Sequence, residues 1–462
     1  MTDLVVHPQA APLVGSVPVP SDKSIAHRAL LLSAIAHGTS RLRRFAGGED
    51  HASTAQALRA LGVRIEETGS GRERELQVHG VGLFGLTEPK APLDCGNSGT
   101  TMRLLAGLLA PQPFAATLVG DASLMRRPMM RIVEPLVLRG APIAGAAAEG
   151  RRYVGRDGRA VADCTAPLRL AGLAEGAFLG PLEYALPVAS AQVKSALLLS
   201  GLYAHGATHL SEPTLSRDHT ERLLLSLGVP LRTVGPVVEL DPAGWSGQLP
   251  AFDAEVPGDI SAAAFLLVAA QGVPGSNVVV RRVGINRTRT GLLDMARDMG
   301  AAIRVDPVGD EIGEPIGDMF ATSAELRGTR VGGELVARAI DEIPIFCVLA
   351  ARAHGETTIS DAGELRVKES DRIAAMVEVL RAFGVACDER PDGMQVQGRV
   401  GPLDAAEVHS RGDHRVAMAA AVLALSAAGP SRIHDVDCIA TSFPRFVGTM
   451  RALGARIDVE RT

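Results

Sequence analysis

The chain is poor in aromatic side chains, which make up 3% of its 462 residues, with one Trp and three Tyr. That removes the stacking platform on which single-stranded nucleic acid is held. A net charge of −5 likewise announces no polyanion-binding surface. Cysteines number five (Cys95, Cys164, Cys347, Cys387, Cys438), an odd count with no CxxC pair. A disulfide framework and a zinc site are therefore not expected, and a reducing cytoplasm fits. Apolar runs such as residues 262–270 are too short to span a bilayer, and the opening stretch MTDLVVHPQAAPLVG has neither the charged start nor the apolar block of a signal peptide. The expectation is a soluble, cytoplasmic protein that binds neither membrane nor nucleic acid. With no GxxxxGK[ST] loop and no GxGxxG, a nucleotide fold is not indicated either.

What is present is a recurrence. Six helical stretches end in a glycine followed by a small or branched residue, with a hydrophobic residue before it at all but Gly140, which follows Arg139: Gly62, Gly140, Gly228, Gly300, Gly384 and Gly454, at intervals of 78, 88, 72, 84 and 70 residues. Glycine just past a helix takes the left-handed conformation, and the V/I/L/R run that follows reads as a strand. Each unit also holds an Ala/Leu-rich helix that is apolar around most of its circumference, from SIAHRALLLSAIAHG to HRVAMAAAVLALSAAG. These six should be buried, while the glycine-ended helices carry charge on one side and should face water. Short strands are expected between them, at residues 75–78, 116–119 and 357–359 among others. The repeat is thus an α/β unit used six times. The 46% hydrophobic content suffices for two domains, so two groups of three repeats are expected. Proline- and glycine-rich linkers at residues 15–20 and 241–258 mark the crossings. This gives residues 1–20 plus 255–462 as one domain and 21–254 as the other. The acidic, Gly-rich stretch 307–333 reads as a surface elaboration with poor order.

Polar side chains collect at the N-terminal ends of the apolar helices: SDKS (21–24), GNSGT (96–100), SAQ (190–192), GD (258–259), DE (341–342) and DHR (413–415). Capping of free N–H groups accounts for Asp259 and Ser21. It does not account for Lys23, Arg28 or Arg415, because a cation at a helix start opposes the macrodipole; such cations point to bound anions. Arg127, Arg217, Lys368 and Arg372 lie on loops entering the other helices. A solvated helix start is the plain alternative for each singly. Together, guanidinium forks and ammonium groups describe a place for two small, multiply charged anions.

The motifs SDKSIAHRALLLSAIAHG, CGNSGTTMRLLAGL, MRRPMMRI, SAQVKSALLLSGL, SRDHTERLL, RVKESDRI, DHRVAMA and TSFPRF run in this order from residue 21 to 446. In them the chain resembles the 5-enolpyruvylshikimate-3-phosphate synthase family of enolpyruvyl transferases. The resemblance implies two domains of three βαβαββ units each, an inside-out α/β barrel. It implies transfer of an enolpyruvyl group from phosphoenolpyruvate to the 5-hydroxyl of shikimate 3-phosphate by a monomer, without metal or organic cofactor. By the same resemblance Lys23, Ser24, Arg28, Ser190, Gln192, Arg217, Asp341 and Lys368 hold shikimate 3-phosphate, and Lys23, Gly99, Arg127, Gln192, Arg372 and Arg415 hold phosphoenolpyruvate. Asp341 takes the hydroxyl proton, and Glu369, with Lys23, exchanges the proton at the enolpyruvyl methylene.

Two positions depart from or subdivide the family pattern. Thr441 stands where some members carry lysine before the last motif, and Gly99 stands where a glyphosate-tolerant subgroup has alanine, so sensitivity to glyphosate is expected. Three further assignments stay open: His414 against the substrates, as an orienting group or as a cap; Asn97 and Thr100 as turn formers or ligands; Asp50 as a cap or a support. Two competing readings are weaker. A UDP-N-acetylglucosamine enolpyruvyl transferase would place a cysteine in the loop GDASLMRRPMM, and none lies between Cys95 and Cys164. A non-catalytic anion binder would need the cations but not Asp341 with Glu369.

Overall fold

A computed structural model describes residues 2–45, 48–70 and 74–461. The chain divides into two compact units, one of Met1–Asp22, Pro257–Asp310 and Pro315–Thr462, the other of Lys23–Val256 and Glu311–Glu314. Each unit has its own hydrophobic core.

Among the described residues there are six sheets, all four-stranded and sharing one plan. A repeat runs strand, buried helix, strand, surface helix, then two more strands. Its first two strands lie parallel in every sheet, as in Leu182–Ala185 beside Thr208–Ser211. Three of the sheets borrow a strand from elsewhere in the chain. Thr2–Val6 pairs antiparallel with both Ser431–His434 and Ile457–Arg461. Val14–Pro18 lies along Asn277–Gly284, and Asp253–Glu255 along His37–Arg43.

The six apolar stretches form the helices Lys23–Ala34, Gly99–Leu109 and Ala191–Gly201 in one unit, and Ile260–Gly272, Ile343–Arg352 and His414–Ala424 in the other. Nearly every residue of each is buried, as an all-round apolar composition requires. Gly107 shows how closely two of them approach, since a Cβ there would overlap the Ala196 backbone. The six helix-ending glycines all take positive φ, from 74° at Gly384 to 102° at Gly454.

One sequence expectation fails. Residues 307–333 are no loose elaboration: Ala302–Glu311 and Glu314–Thr322 are two ordered neighbouring strands of one sheet. Gly317, Met319 and Ala321 are buried at every second position, and the last two join the core. The intervening acidic and glycine residues had masked that period of two. The turn Glu311–Glu314 lies in the other unit, where Glu314 is fully buried with its Oε1 2.7 Å from His219 Nδ1.

Candidate active site

Lys23, Gly99 and Ala191 are the first residues of the three buried helices of the unit Lys23–Val256, so the polar entry motifs gather at helix starts. Ser98 and Ser190 cap two of them, their hydroxyls accepting from the N–H of Thr101 and Val193. Lys23 Nζ lies 2.5 Å from Asp50 Oδ2. Asp50, whose part the sequence left open, is the second residue of the helix Glu49–Ala60 and partners the lysine. Arg28 is buried; its Nε donates to Thr220 Oγ1 and its NH2 to Ser195 Oγ, both at 2.7 Å, and its NH1 to the Ser24 carbonyl at 2.9 Å. Arg217 NH1 donates to Ser24 Oγ at 3.3 Å.

A second chain of contacts links the remaining residues of this unit. Arg127 NH2 donates to Asn97 Oδ1 at 2.7 Å, and Asn97 Nδ2 to Asp121 Oδ2 at 2.6 Å. Gln192 donates through Nε2 to Thr100 Oγ1 at 2.9 Å and accepts at Oε1 from Arg103 NH1 at 2.6 Å. Asn97 and Thr100 therefore orient Arg127 and Gln192. Gly99 sits against both guanidiniums: a Cβ there would be 2.8 Å from Arg103 NH1 and 3.2 Å from Arg127 NH1.

The unit that ends at Thr462 holds the rest. Arg372, with a side chain 1% exposed, opens the helix Arg372–Ala382 behind its cap Asp371. Its Nε donates to Asp413 Oδ2 at 2.8 Å, its NH2 to Glu369 Oε2 at 2.6 Å and its NH1 to Asp341 Oδ1 at 3.3 Å. Lys368 Nζ lies 3.8 Å from Asp341 Oδ1, and Arg415 NH2 3.9 Å from Oδ2. Arg415 NH1 also donates to the Asp341 carbonyl at 2.9 Å. Thus Asp341, Lys368, Glu369, Arg372 and Arg415 form one cluster of carboxylates and cations. Behind it, buried Arg289 faces three carboxylates: Asp259 at 3.4 Å, Glu342 at 3.5 Å and Asp22 at 3.8 Å. Asp259 does cap its helix, accepting from the Ser261 N–H, but it also belongs to this group.

Burial and proximity set the protonation states. Asp259 is pushed up by burial and by Asp22, despite Arg289. Burial also acts on Asp413, yet the Arg372 guanidinium outweighs it and holds its carboxyl below the usual range. Lys368 is pushed down by enclosure and by Arg372, although Asp341 opposes this. A lysine so poised gives up its proton more readily than a free one.

His414 is the first residue of its helix, and the cap is Asp413, whose side chain accepts from the Arg415 N–H. Burial, with Arg415 and Arg372 nearby, pushes His414 down to about 3. The imidazole is therefore neutral in the folded protein, while an unfolded histidine titrates near about 6.5. Between those two values the native state binds fewer protons than the unfolded chain, so stability falls as the pH drops. The contribution is complete above pH about 6.5 and is lost toward pH 3. Urea midpoints measured from pH 7 to 4.5 should fall more steeply for the native sequence than for His414→Gln; parallel profiles would refute it.

Sequence reasoning missed Arg103, Asp121, Arg289 and Glu342. Arg103 had a signal, being the one cation inside the otherwise apolar run GTTMRLLAGLLA. Arg289 had none, since its role depends on which helix starts surround it. Among the described residues no group of three or more His, Cys, Asp or Glu side chains could hold a metal ion, and no helix is long and apolar enough to cross a membrane.

The chain is similar in sequence and fold to known proteins. The family described as EPSP synthase (3-phosphoshikimate 1-carboxyvinyltransferase) matches residues 8–450. The 3-phosphoshikimate 1-carboxyvinyltransferase of Methylococcus capsulatus is 48% identical over 445 residues, 96% of each chain. That of Geobacter sulfurreducens is 47% identical over 457 residues, 99% of this chain and 100% of the relative. Among solved structures, EPSP synthase from Acinetobacter baumannii aligns over 100% of both chains with a TM-score of 0.86 and 40% identity. The enolpyruvyl transferase NikO from Streptomyces tendae aligns over 100% of this chain and 99% of its own, with a TM-score of 0.73. At 19% identity that likeness is one of fold alone.

Proposed function

The chain belongs to the EPSP synthase family, and from that premise we propose that it transfers the enolpyruvyl group of phosphoenolpyruvate to the 5-hydroxyl of shikimate 3-phosphate, releasing phosphate. The observation that carries this reading is the pair of carboxylates on one guanidinium: Asp341 and Glu369, 3.3 and 2.6 Å from Arg372. An anion binder gains nothing from two carboxylates there. Addition across an enol phosphate and elimination to an enol ether require a base and an acid.

In the addition step Asp341 accepts the 5-hydroxyl proton as that oxygen bonds to C2. Glu369, with Lys23, delivers a proton to the methylene C3. In the elimination the C3 proton returns to the same pair, the double bond re-forms and the C2–O bond to phosphate breaks. Lys23, Ser24, Arg28, Ser190, Gln192, Arg217, Asp341 and Lys368 hold shikimate 3-phosphate. Lys23, Gly99, Arg127, Gln192, Arg372 and Arg415 hold phosphoenolpyruvate. Cations offset the charge of both reactants and fix their approach, and orientation alone supplies up to about 7–11 kcal/mol of barrier reduction. The chain acts as a monomer in the cytoplasm.

The test is a coupled phosphate-release assay with both substrates. Turnover with shikimate 3-phosphate and none with UDP-N-acetylglucosamine supports the reading, and the reverse pattern refutes it. A companion prediction concerns Gly99. Its Cα faces Arg127, a phosphoenolpyruvate ligand under this proposal, and leaves room for glyphosate. In Gly99→Ala the new methyl displaces the ends of Arg103 and Arg127 by a few tenths of an ångström. Glyphosate inhibition should weaken at least about tenfold, with a smaller rise in KM for phosphoenolpyruvate. An inhibition constant unchanged by the substitution would overturn this.

A further inference from the structure

Lys194, Glu212 and Glu221 form an ion cluster in the unit Lys23–Val256, with every side chain 2% exposed or less. Lys194 Nζ lies 2.6 Å from Glu212 Oε1 and 2.8 Å from Glu221 Oε1. The two carboxylates outweigh burial and keep the ammonium charged, while burial raises Glu221. None of the three has a part in the reaction as written above. A buried ion pair is weak evidence for stability, because well-packed apolar residues of the same volume often do as well.

What the cluster does hold lies one residue away on each side. Ser195, next to Lys194, receives Arg28 NH2 at 2.7 Å and the Thr220 hydroxyl at 2.6 Å. Thr220, next to Glu221, receives Arg28 Nε at 2.7 Å. Glu212 Oε1 also accepts the Ser216 N–H at 2.9 Å, and Ser216 immediately precedes Arg217. One ammonium thus ties together the helix Ala191–Gly201, the segment leading to Arg217 and the helix His219–Ser226. Both arginines also meet Ser24, Arg28 at its carbonyl and Arg217 at its hydroxyl.

We infer that Lys194 is a positioning residue for the phosphorylated ring substrate: through Glu212 and Glu221 it sets Arg28 and Arg217 at the spacing a phosphate needs. The inference rests on the functional reading above, in which those two arginines hold shikimate 3-phosphate. Bidentate recognition of an oxyanion tolerates little displacement of either fork, so loosening the support weakens the ligand without removing a contact.

Lys194→Met keeps an unbranched side chain one atom shorter and removes the charge. Its KM for shikimate 3-phosphate should rise about tenfold or more, the scale on which losing an orienting partner weakens a site. Its KM for phosphoenolpyruvate should stay within about twofold, since Arg127 and Gln192 are held by other contacts. Glu212→Gln acts directly on the Arg217 arm and reaches the Arg28 arm only through Lys194, so it should give a smaller change of the same kind, which decides the matter if Lys194→Met does not fold. A residue that merely held the fold would lower the melting temperature without separating the two KM values. Unchanged or equally raised KM values in the folded variants would overturn the inference. Absence of shikimate 3-phosphate turnover in the unaltered enzyme would instead sink the functional reading.

Discussion

Asp341→Asn should turn over about 10²–10⁴-fold more slowly while still binding shikimate 3-phosphate, because an amide of the same shape cannot accept the hydroxyl proton. The side chain sits among Arg372, Lys368 and Arg415 at 3.3, 3.8 and 3.9 Å. Those cations offset its charge. They also remain after the substitution, so the anionic substrate loses a hydroxyl contact rather than its counter-charges. The separation is read by isothermal titration beside the phosphate-release assay. Full activity in the variant would remove Asp341 from the mechanism; lost binding with an unchanged kcat would make it a ligand only.

Arg372→Ala should cost about 3–5 kcal/mol of unfolding free energy and abolish phosphoenolpyruvate binding. The guanidinium is the shared partner of Asp413, Glu369 and Asp341. Asp413 is fully buried, caps the helix His414–Ala424 and cannot reach solvent to recover its lost partner. Adding Asp413→Ala should therefore restore part of the loss, since the second substitution removes the stranded charge, although its cap is lost too. Urea unfolding of the single and double variants measures both quantities. A single variant within about 1 kcal/mol of the native sequence would show that the cluster is held by other means.

The repeat was legible because its two signals are local. A glycine must follow a helix where the backbone turns left-handed, and a helix buried all round must be apolar around most of its circumference. Both rules act over a dozen residues, and all six glycines and all six helices obey them. The entry motifs were legible for the same reason: Lys23 and Arg415 stand at helix starts where the dipole alone would not put them. Partners across the fold were not. In sequence Asp50 is open between a cap and a support, and nothing local shows that it closes on Lys23. Arg289 and Glu342 meet over 53 residues of sequence, and no spacing rule connects them. The strands after Gly300 were hidden because their exposed faces carry Asp and Glu, so composition spoke louder than alternation.

The turn Glu311–Glu314 has a consequence for dissecting the molecule. Cutting at the two obvious linkers would yield a fragment, residues 23–256, that lacks four residues of its own interior. In that fragment the His219 imidazole would face water in place of the Glu314 carboxylate, and Arg222 NH1 would lose the Gly313 carbonyl it reaches at 3.1 Å. A faithful half-molecule has to be stitched rather than cut, with those four residues supplied by a graft or a second peptide.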